Sequence, residues 1–261
     1  MKNIEQSILI YQDYVNHNNN AHVLVALQMA LTNAQINFCD ADDIINGCLT
    51  PDIDLFIIPG GADLYICEKL NGAGNKAIKN YVGAGGTYLG ICAGAYYGCK
   101  TINWDQGNIK GARELGFYKG CATGPIYNLL EQEDINKSWD QAIQLTLNNG
   151  TTKAALYRAG PYFSEPSLNT NTESNKVTVL ARYTDVKDMP PAILSCSVGK
   201  GRAILSAPHI EYSPNMYKKM IYKHNNPSYQ WQSDVQKQYE KGYTPDQALF
   251  EYILTYALNT R

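Results

Sequence analysis

Two short apolar runs that end in glycine-rich turns constrain most strongly how this chain folds. Residues 54–58 read DLFII and are followed by Pro59-Gly60-Gly61, and Thr87–Ile91 leads directly into the segment that contains Gly94. Continuous apolar runs of this length are typical of strands that are covered on both faces in a parallel sheet. Because they alternate with helical patterns over the first hundred residues, the sequence predicts an α/β fold with a mostly parallel central sheet.

The remaining elements follow from the same apolar periodicity. The early elements are predicted as strands at residues 7–11, 36–39, 54–58 and 87–91 and helices at residues 21–31, 64–70 and 75–82. Residues 101–190 carry weaker, β-like signals between polar loops, and they are interpreted as a β-rich insertion. A hairpin at residues 192–197 and 203–206 and C-terminal helices complete one domain over residues 1–261.

Charge and cysteine content exclude several classes of protein. The 261 residues carry 22 Lys+Arg against 24 Asp+Glu, a net charge of -2, so no strong field attracts nucleic acid or anionic lipid. The sequence has neither a membrane-length apolar stretch nor a signal-peptide hydrophobic segment, which predicts a cytoplasmic protein with no membrane partner. Seven scattered Cys without a CxxC pair argue against disulfides and a zinc site, and no metal is expected.

The segment Gly90-Ile91-Cys92-Ala93-Gly94 is the most informative motif. A G-x-C-x-G pattern between a buried strand and a helix is typical of a nucleophile elbow, in which flanking glycines allow a sharp turn that raises the central side chain above the sheet edge. A helix N-terminus there favours the thiolate, which is the nucleophilic form of cysteine. The alternative is a buried cysteine at a tight turn.

A cysteine nucleophile needs a base, and His209 is the best candidate among four histidines. It follows a predicted strand, and Glu211 lies two residues further on, so the carboxylate is placed to orient the imidazole. The alternative is a capping or surface histidine. The other three, His17, His22 and His224, lie in a polar loop, in the first helix and beside an Asn-rich segment, where a catalytic role is not expected.

Acyl chemistry also needs N–H donors for a developing oxyanion. The N–H groups of Gly60, Gly61 and Ala93 are candidates because they follow the ends of neighbouring strands. An ordinary strand-exit turn explains the two glycines equally well.

Four segments of the sequence resemble a known family. Ile58–Leu64 (IPGGADL), Tyr88–Tyr96 (YLGICAGAY), Glu114–Phe117 (ELGF) and Ser206–Glu211 (SAPHIE) are similar to the biotin-protein ligase N-terminal domain family, which is itself similar to class I glutamine amidotransferases. The resemblance implies a flavodoxin-like three-layer fold and a Cys-His-Glu triad on Cys92, His209 and Glu211. It does not imply biotin ligation, because no ligase portion is recognised in the chain.

The departures from these families bear on the substrate. Class I glutaminases usually carry Gln four residues after the nucleophile, where it helps to hold glutamine, and this position is Tyr96 here. Their usual His-Pro-Glu reads His209-Ile210-Glu211. Some serine dipeptidases have a similar elbow with Ser in place of Cys92, so peptide-like amides are also candidate substrates.

Two hypotheses follow. The first is a thiol-dependent amide hydrolase or amidotransferase-like enzyme that uses Cys92, His209 and Glu211, needs no cofactor, and acts on a small-molecule or peptide-like amide. The second is a regulatory or ligand-binding module that keeps the pocket, with Tyr96 in it, without turnover. A protein partner and the oligomeric state are not specified by the sequence.

Overall fold

The computed structural model describes residues 6–13, 17–129, 139–166, 176–221, 224–243 and 249–258. The strands are β1 (Gln6–Tyr11), β2 (Ala34–Cys39), β3 (Leu55–Ile58), β4 (Thr87–Ile91), β5 (Cys99–Trp104), β6 (Ile109–Ala112), β7 (Tyr118–Gly124), β8 (Asp140–Leu147), β9 (Thr152–Arg158), β10 (Tyr162–Phe163), β11 (Val177–Tyr183), β12 (Pro191–Val198) and β13 (Gly201–Ser206). The helices are α1 (His17–Ala30), α2 (Ala41–Ile45), α3 (Asp63–Leu70), α4 (Ala73–Ala84), α5 (Ala93–Tyr97), α6 (Pro214–Lys218), α7 (Tyr229–Gly242) and α8 (Leu249–Leu258).

The main sheet has a parallel half that carries the elbow. Its nine strands run in the order β2-β1-β3-β4-β13-β12-β11-β8-β9, and all pairings from β2 to β13 are parallel. With β13 as fifth strand this is the flavodoxin-like order, in which ligands bind beyond the carboxyl ends of the strands. Every residue of β3 and β4 is buried, as expected for central strands with helices on both faces.

The α/β class and the flavodoxin-like fold are therefore confirmed. The other half of the main sheet is antiparallel, from the predicted β12–β13 hairpin through β11 and β8 to β9. The described part of residues 101–190 is β-rich as predicted, but it divides between two sheets. Strands β8, β9 and β11 extend the main sheet, whereas β5, β6, β7 and β10 form a second, four-stranded sheet.

The helices pack as the apolar patterns require, with one correction. Helix α3 contacts both α4 and α5, and α8 packs on β4 and β9. Helix α1 begins at His17, although the sequence predicts a polar loop up to Asn20. The Asn-rich run is a weak helix former, but Asn19 is buried and its Oδ1 accepts a hydrogen bond from the Tyr212 hydroxyl at 2.7 Å. A contact with a residue distant in sequence therefore extends the helix.

Candidate functional site

Cys92 lies at a strained turn between β4 and α5. Its backbone has φ 52° and ψ -100°, in the positive-φ region that non-glycine residues rarely adopt. The flanking glycines permit the turn, since a Cβ on Gly90 would lie 2.3 Å from the Gly94 carbonyl oxygen and one on Gly94 would lie 2.1 Å from the Ile58 carbonyl oxygen. Neither position has room for a side chain. The strand, turn and helix of the elbow are thus arranged as the motif predicts.

Backbone hydrogen bonds hold the elbow against the next strand. The Cys92 N–H donates to the Ser206 carbonyl of β13 at 2.9 Å, and the Cys92 carbonyl accepts from Ala95 and Tyr96 at 3.0 Å each. Cys92 is 8% exposed, and its Sγ donates to the Arg158 carbonyl at 3.6 Å. The sulfur therefore lies at the carboxyl edge of the parallel strands, close to the end of β9.

The strand register explains why His209 comes close to Cys92. In the parallel β4–β13 pair Ile91 lies opposite Ser206, so Cys92 and the residues that follow β13 leave the sheet at the same level. The His209 N–H donates to the Leu156 carbonyl at 2.9 Å, which ties this segment to β9. The structure thus brings Cys92 and His209 close together, although they are more than one hundred positions apart in the sequence.

The imidazole of His209 is buried against the Glu211 carboxylate and near the Cys92 thiol. Its Nδ1 lies 2.7 Å from Glu211 Oε1, and both side chains are almost completely buried. Within the described chain the second carboxylate oxygen, Oε2, has no hydrogen-bond partner, so the negative charge depends on the imidazole for compensation. Burial lowers the pKa of His209, but the Glu211 carboxylate and the adjacent Cys92 outweigh it and raise that pKa to about 10.

The three candidate oxyanion donors lie in two different places. Gly61 and Ala93 line a cavity next to Cys92. Gly60 instead lies against His209, because a Cβ there would be 2.6 Å from His209 Cε1 and 2.7 Å from Asn19 Nδ2. The absence of a side chain at Gly60 is therefore what allows the imidazole and the Asn19 amide to approach the β3 exit.

The cavity beside Cys92 has a volume of about 220 Å³. Its lining includes Gly61, Tyr96, Trp104, Arg158 and Ala159. Tyr96 is held in place because its hydroxyl donates to the Ala159 carbonyl at 3.2 Å and its ring packs edge-on against Trp104, with 5.6 Å between the centroids. Burial raises the pKa of Tyr96 well above its usual value, so the hydroxyl stays protonated.

Further polar residues, which the sequence did not indicate, lie around His209. The Tyr212 ring packs edge-on against His209 at 5.4 Å, and its hydroxyl also accepts from Arg158 Nη1 at 3.4 Å. Arg158 Nε in turn donates to Asp140 Oδ1 at 2.7 Å. The sequence could have indicated Tyr212, because this residue directly follows Glu211. Asp140 and Arg158 lie in no local motif that could have indicated them.

The structure places the other described histidine rings away from Cys92. His22 packs against Tyr212, with 4.3 Å between ring centroids, and burial lowers its pKa. His224 packs against Tyr229 near the start of α7. The side chain of His17 lies outside the described residues.

Two kinds of feature are absent from the described residues. No three His, Cys, Asp or Glu side chains in that part of the chain gather closely enough to hold a metal ion. None of the helices in the described ranges has both the length and the apolar character needed to cross a bilayer.

Comparisons with known proteins identify the family of the chain. Residues 6–256 match the family described as biotin-protein ligase, N terminal. An uncharacterised protein of Chlamydia muridarum (strain MoPn / Nigg) is 35% identical over 228 residues, which cover 80% of this chain and 82% of that protein. The biotin-protein ligase of Schizosaccharomyces pombe is 28% identical over 184 residues, which cover 68% of this chain and 28% of the ligase.

The fold has a counterpart among solved structures. The crystal structure of a glutamine amidotransferase superposes with a TM-score of 0.53 at 16% identity, covering 88% of this chain and 98% of that one. At this level of identity the likeness shows the amidotransferase-like fold that the two proteins share.

Proposed function

We propose that this chain, which belongs to the biotin-protein ligase N-terminal family, is a thiol-dependent amide hydrolase. Cys92 is the proposed nucleophile, His209 the general base and acid, and Glu211 the residue that orients His209. The observation that carries the proposal is the 2.7 Å contact of a buried carboxylate with the imidazole beside a cysteine at φ 52°. Strained backbone of this kind is concentrated at functional sites.

The proposed reaction proceeds in two steps. His209 takes the thiol proton, and the Cys92 sulfur attacks the carboxamide carbon to give a tetrahedral oxyanion. When this intermediate collapses, the C–N bond breaks, ammonia or an amine leaves with the proton from the imidazolium, and a thioester remains. Water then cleaves the thioester with His209 as base, which releases a carboxylic acid and restores the thiol.

Backbone N–H groups are proposed to stabilise the negative charge in both steps. Gly61 and Ala93 are the proposed donors, since both line the cavity beside Cys92. Gly60 contributes differently in this scheme: it leaves space for the His209 ring. The ligase activity named for the S. pombe protein is not carried over, because the matched residues span 28% of that protein's length.

A second candidate function is a binding module without turnover. It is favoured by Tyr96, which fills the position where glutaminases usually carry a substrate-holding Gln and whose hydroxyl is engaged by the Ala159 carbonyl. In that case the cavity holds a ligand while Cys92 makes no acyl intermediate.

Ammonia release from a panel of primary carboxamides tests the two functions. We expect the wild type to release ammonia, Cys92→Ala to release none, and His209→Ala to be slower by about 10²- to 10⁴-fold. Cys121→Ala is the matched control, because this half-buried thiol lies in β7 and should not affect the rate. Unchanged release by Cys92→Ala would show the hydrolase proposal to be wrong, and ligand binding without release by the wild type would favour the binding module.

A further inference from the structure

The cavity beside Cys92 has features that narrow the class of substrate. Resting on the function proposed above, we infer that it selects a flat, uncharged aromatic carboxamide over a free amino acid amide such as glutamine. Three observations carry the inference: the size of the cavity, the aromatic and aliphatic side chains in its lining, and the pairing of its charged residues.

The cavity is small. Its volume of about 220 Å³ lies below the roughly 300–1,000 Å³ of pockets that take drug-sized ligands. An apolar protein cavity of about 150 Å³ holds one benzene molecule. The space next to Cys92 therefore suits one six-membered ring together with a carboxamide group.

The side chains around this space are suited to a ring. Trp104, Ile102 and Ile109 line the cavity together with Tyr96. The Trp104 ring is held from two sides, edge-on by Tyr96 and at 5.9 Å by the tilted ring of Trp139. Rigid aromatic side chains in this arrangement favour offset or edge-to-face contact with a further ring.

The charged residues of the lining are already paired. Asp63 Oδ2 accepts from Arg113 Nε at 2.7 Å, and Arg158 Nε donates to Asp140 Oδ1 at 2.7 Å. The ammonium and carboxylate of an amino acid lose hydration on entering the cavity, and they would have to compete with these ion pairs for compensation. An uncharged ligand does not incur this cost.

Binding to Cys92→Ala tests the inference without turnover. Benzamide and L-glutamine are titrated into this variant, with calorimetry and tryptophan fluorescence as the measurements. We expect benzamide to bind at least about tenfold more tightly than glutamine. In the same background Trp104→Ala should weaken benzamide binding by about tenfold, whereas Trp104→Phe should retain most of it. Phe38→Ala, which removes an exposed ring on the edge strand β2, is the matched control and should change nothing.

The outcomes separate this inference from the function on which it rests. Glutamine binding as tight as that of benzamide, measured in Cys92→Ala alone, overturns the inference even if the Trp104 variants fail to fold. Benzamide binding that is insensitive to Trp104→Ala in a folded variant also overturns it. If benzamide binds as expected but the wild type hydrolyses no amide, the hydrolase proposal fails and the selectivity stands. If the wild type releases ammonia from glutamine and benzamide does not bind, the hydrolase proposal stands and the inference fails.

Discussion

At the scale of single residues, the chemistry of the site depends on what lies next to the His209 ring. Burial alone would favour a neutral imidazole, yet Glu211 and Cys92 together raise the pKa of His209 to about 10. The imidazole can therefore hold a proton at neutral pH while it remains out of contact with bulk water. This combination is suited to a residue that takes a proton from a thiol and later returns it to a leaving amine.

Thiol alkylation tests whether His209 takes the proton of the Cys92 thiol. We expect iodoacetamide to label Cys92 faster than the other cysteines near pH ~6, where an ordinary thiol is almost wholly protonated, because His209 takes the thiol proton. His209→Ala should slow the labelling of Cys92. Peptide mass spectrometry of a time course identifies the labelled cysteine.

Cys48 is the internal control for this experiment. It is half-exposed, and a hydrogen bond with Cys39 lowers its pKa, so it is the strongest competitor for the reagent. Its labelling should not respond to His209→Ala. Uniform labelling of all seven thiols would contradict a specialised role for Cys92.

At the scale of elements, the elbow depends on how closely α5 packs against the ends of β3 and β4. The Tyr88 hydroxyl donates to the Gly94 carbonyl at 2.7 Å, which ties the helix to the strand that precedes it. Gly94 faces the Ile58 carbonyl so closely that the two backbones are in direct contact. The position of Cys92 above the sheet is a consequence of this packing.

Substitution of Gly94 tests the packing of the elbow. In Gly94→Ala the new Cβ would lie 2.1 Å from the Ile58 carbonyl oxygen, so β3 and α5 must move apart. We expect the free energy of unfolding to fall by about 1–3 kcal/mol, as in overpacked cores, together with a loss of selective Cys92 alkylation. Thermal unfolding followed by circular dichroism measures the first effect.

Gly83→Ala is the matched control. Gly83 lies in α4, and a Cβ there meets no atom within 4 Å. Alanine in a helix is more favourable than glycine by about 0.5–1 kcal/mol, so this variant should be as stable as the wild type or more so. Equal destabilisation by both substitutions would show that the contact with Ile58 is unimportant.

At the scale of the whole molecule, Asp140 joins the antiparallel half of the main sheet to the C-terminal helices. Its carboxylate accepts from Arg158 of β9, from Tyr217 of α6 at 2.9 Å and from Gln232 of α7 at 3.1 Å. Arg158 also contacts the Tyr212 hydroxyl, so the same network reaches the packing around His209.

Removal of this carboxylate should affect both stability and the site. In Asp140→Ala the largely buried guanidinium of Arg158 loses its counter-ion, and we expect a loss of about 3–5 kcal/mol in the free energy of unfolding. Urea denaturation measures the loss. Glu165→Ala breaks the ion pair between Glu165 and Arg182, whose side chains are 62% and 35% exposed, respectively. This loss should cost no more than about 1 kcal/mol in the free energy of unfolding. Similar losses for the two variants would contradict the importance of burial at Asp140.

The sequence alone was sufficient where the relevant information is local. Apolar runs and glycine turns predicted the strands β3 and β4, the β12–β13 hairpin and the elbow at Cys92, because strand burial and turn geometry depend on neighbouring residues. The predicted strand before His209 placed this residue and Glu211 toward the same sheet edge as Cys92. The assignment of catalytic roles to these residues, and of one domain to the whole chain, stays a prediction.

Only the tertiary structure revealed the contacts that join distant segments. The pairing of Asn19 with Tyr212, the division of residues 101–190 between two sheets and the Asp140–Arg158 ion pair have no periodic or motif signal. Each depends on which side chains meet after the chain has folded, and this is set by packing among elements and not by local preference. For this reason the sequence by itself determined the fold class and the candidate Cys, His and Glu, whereas tertiary packing decided the shape of the cavity, the partners of its charged residues and the start of α1.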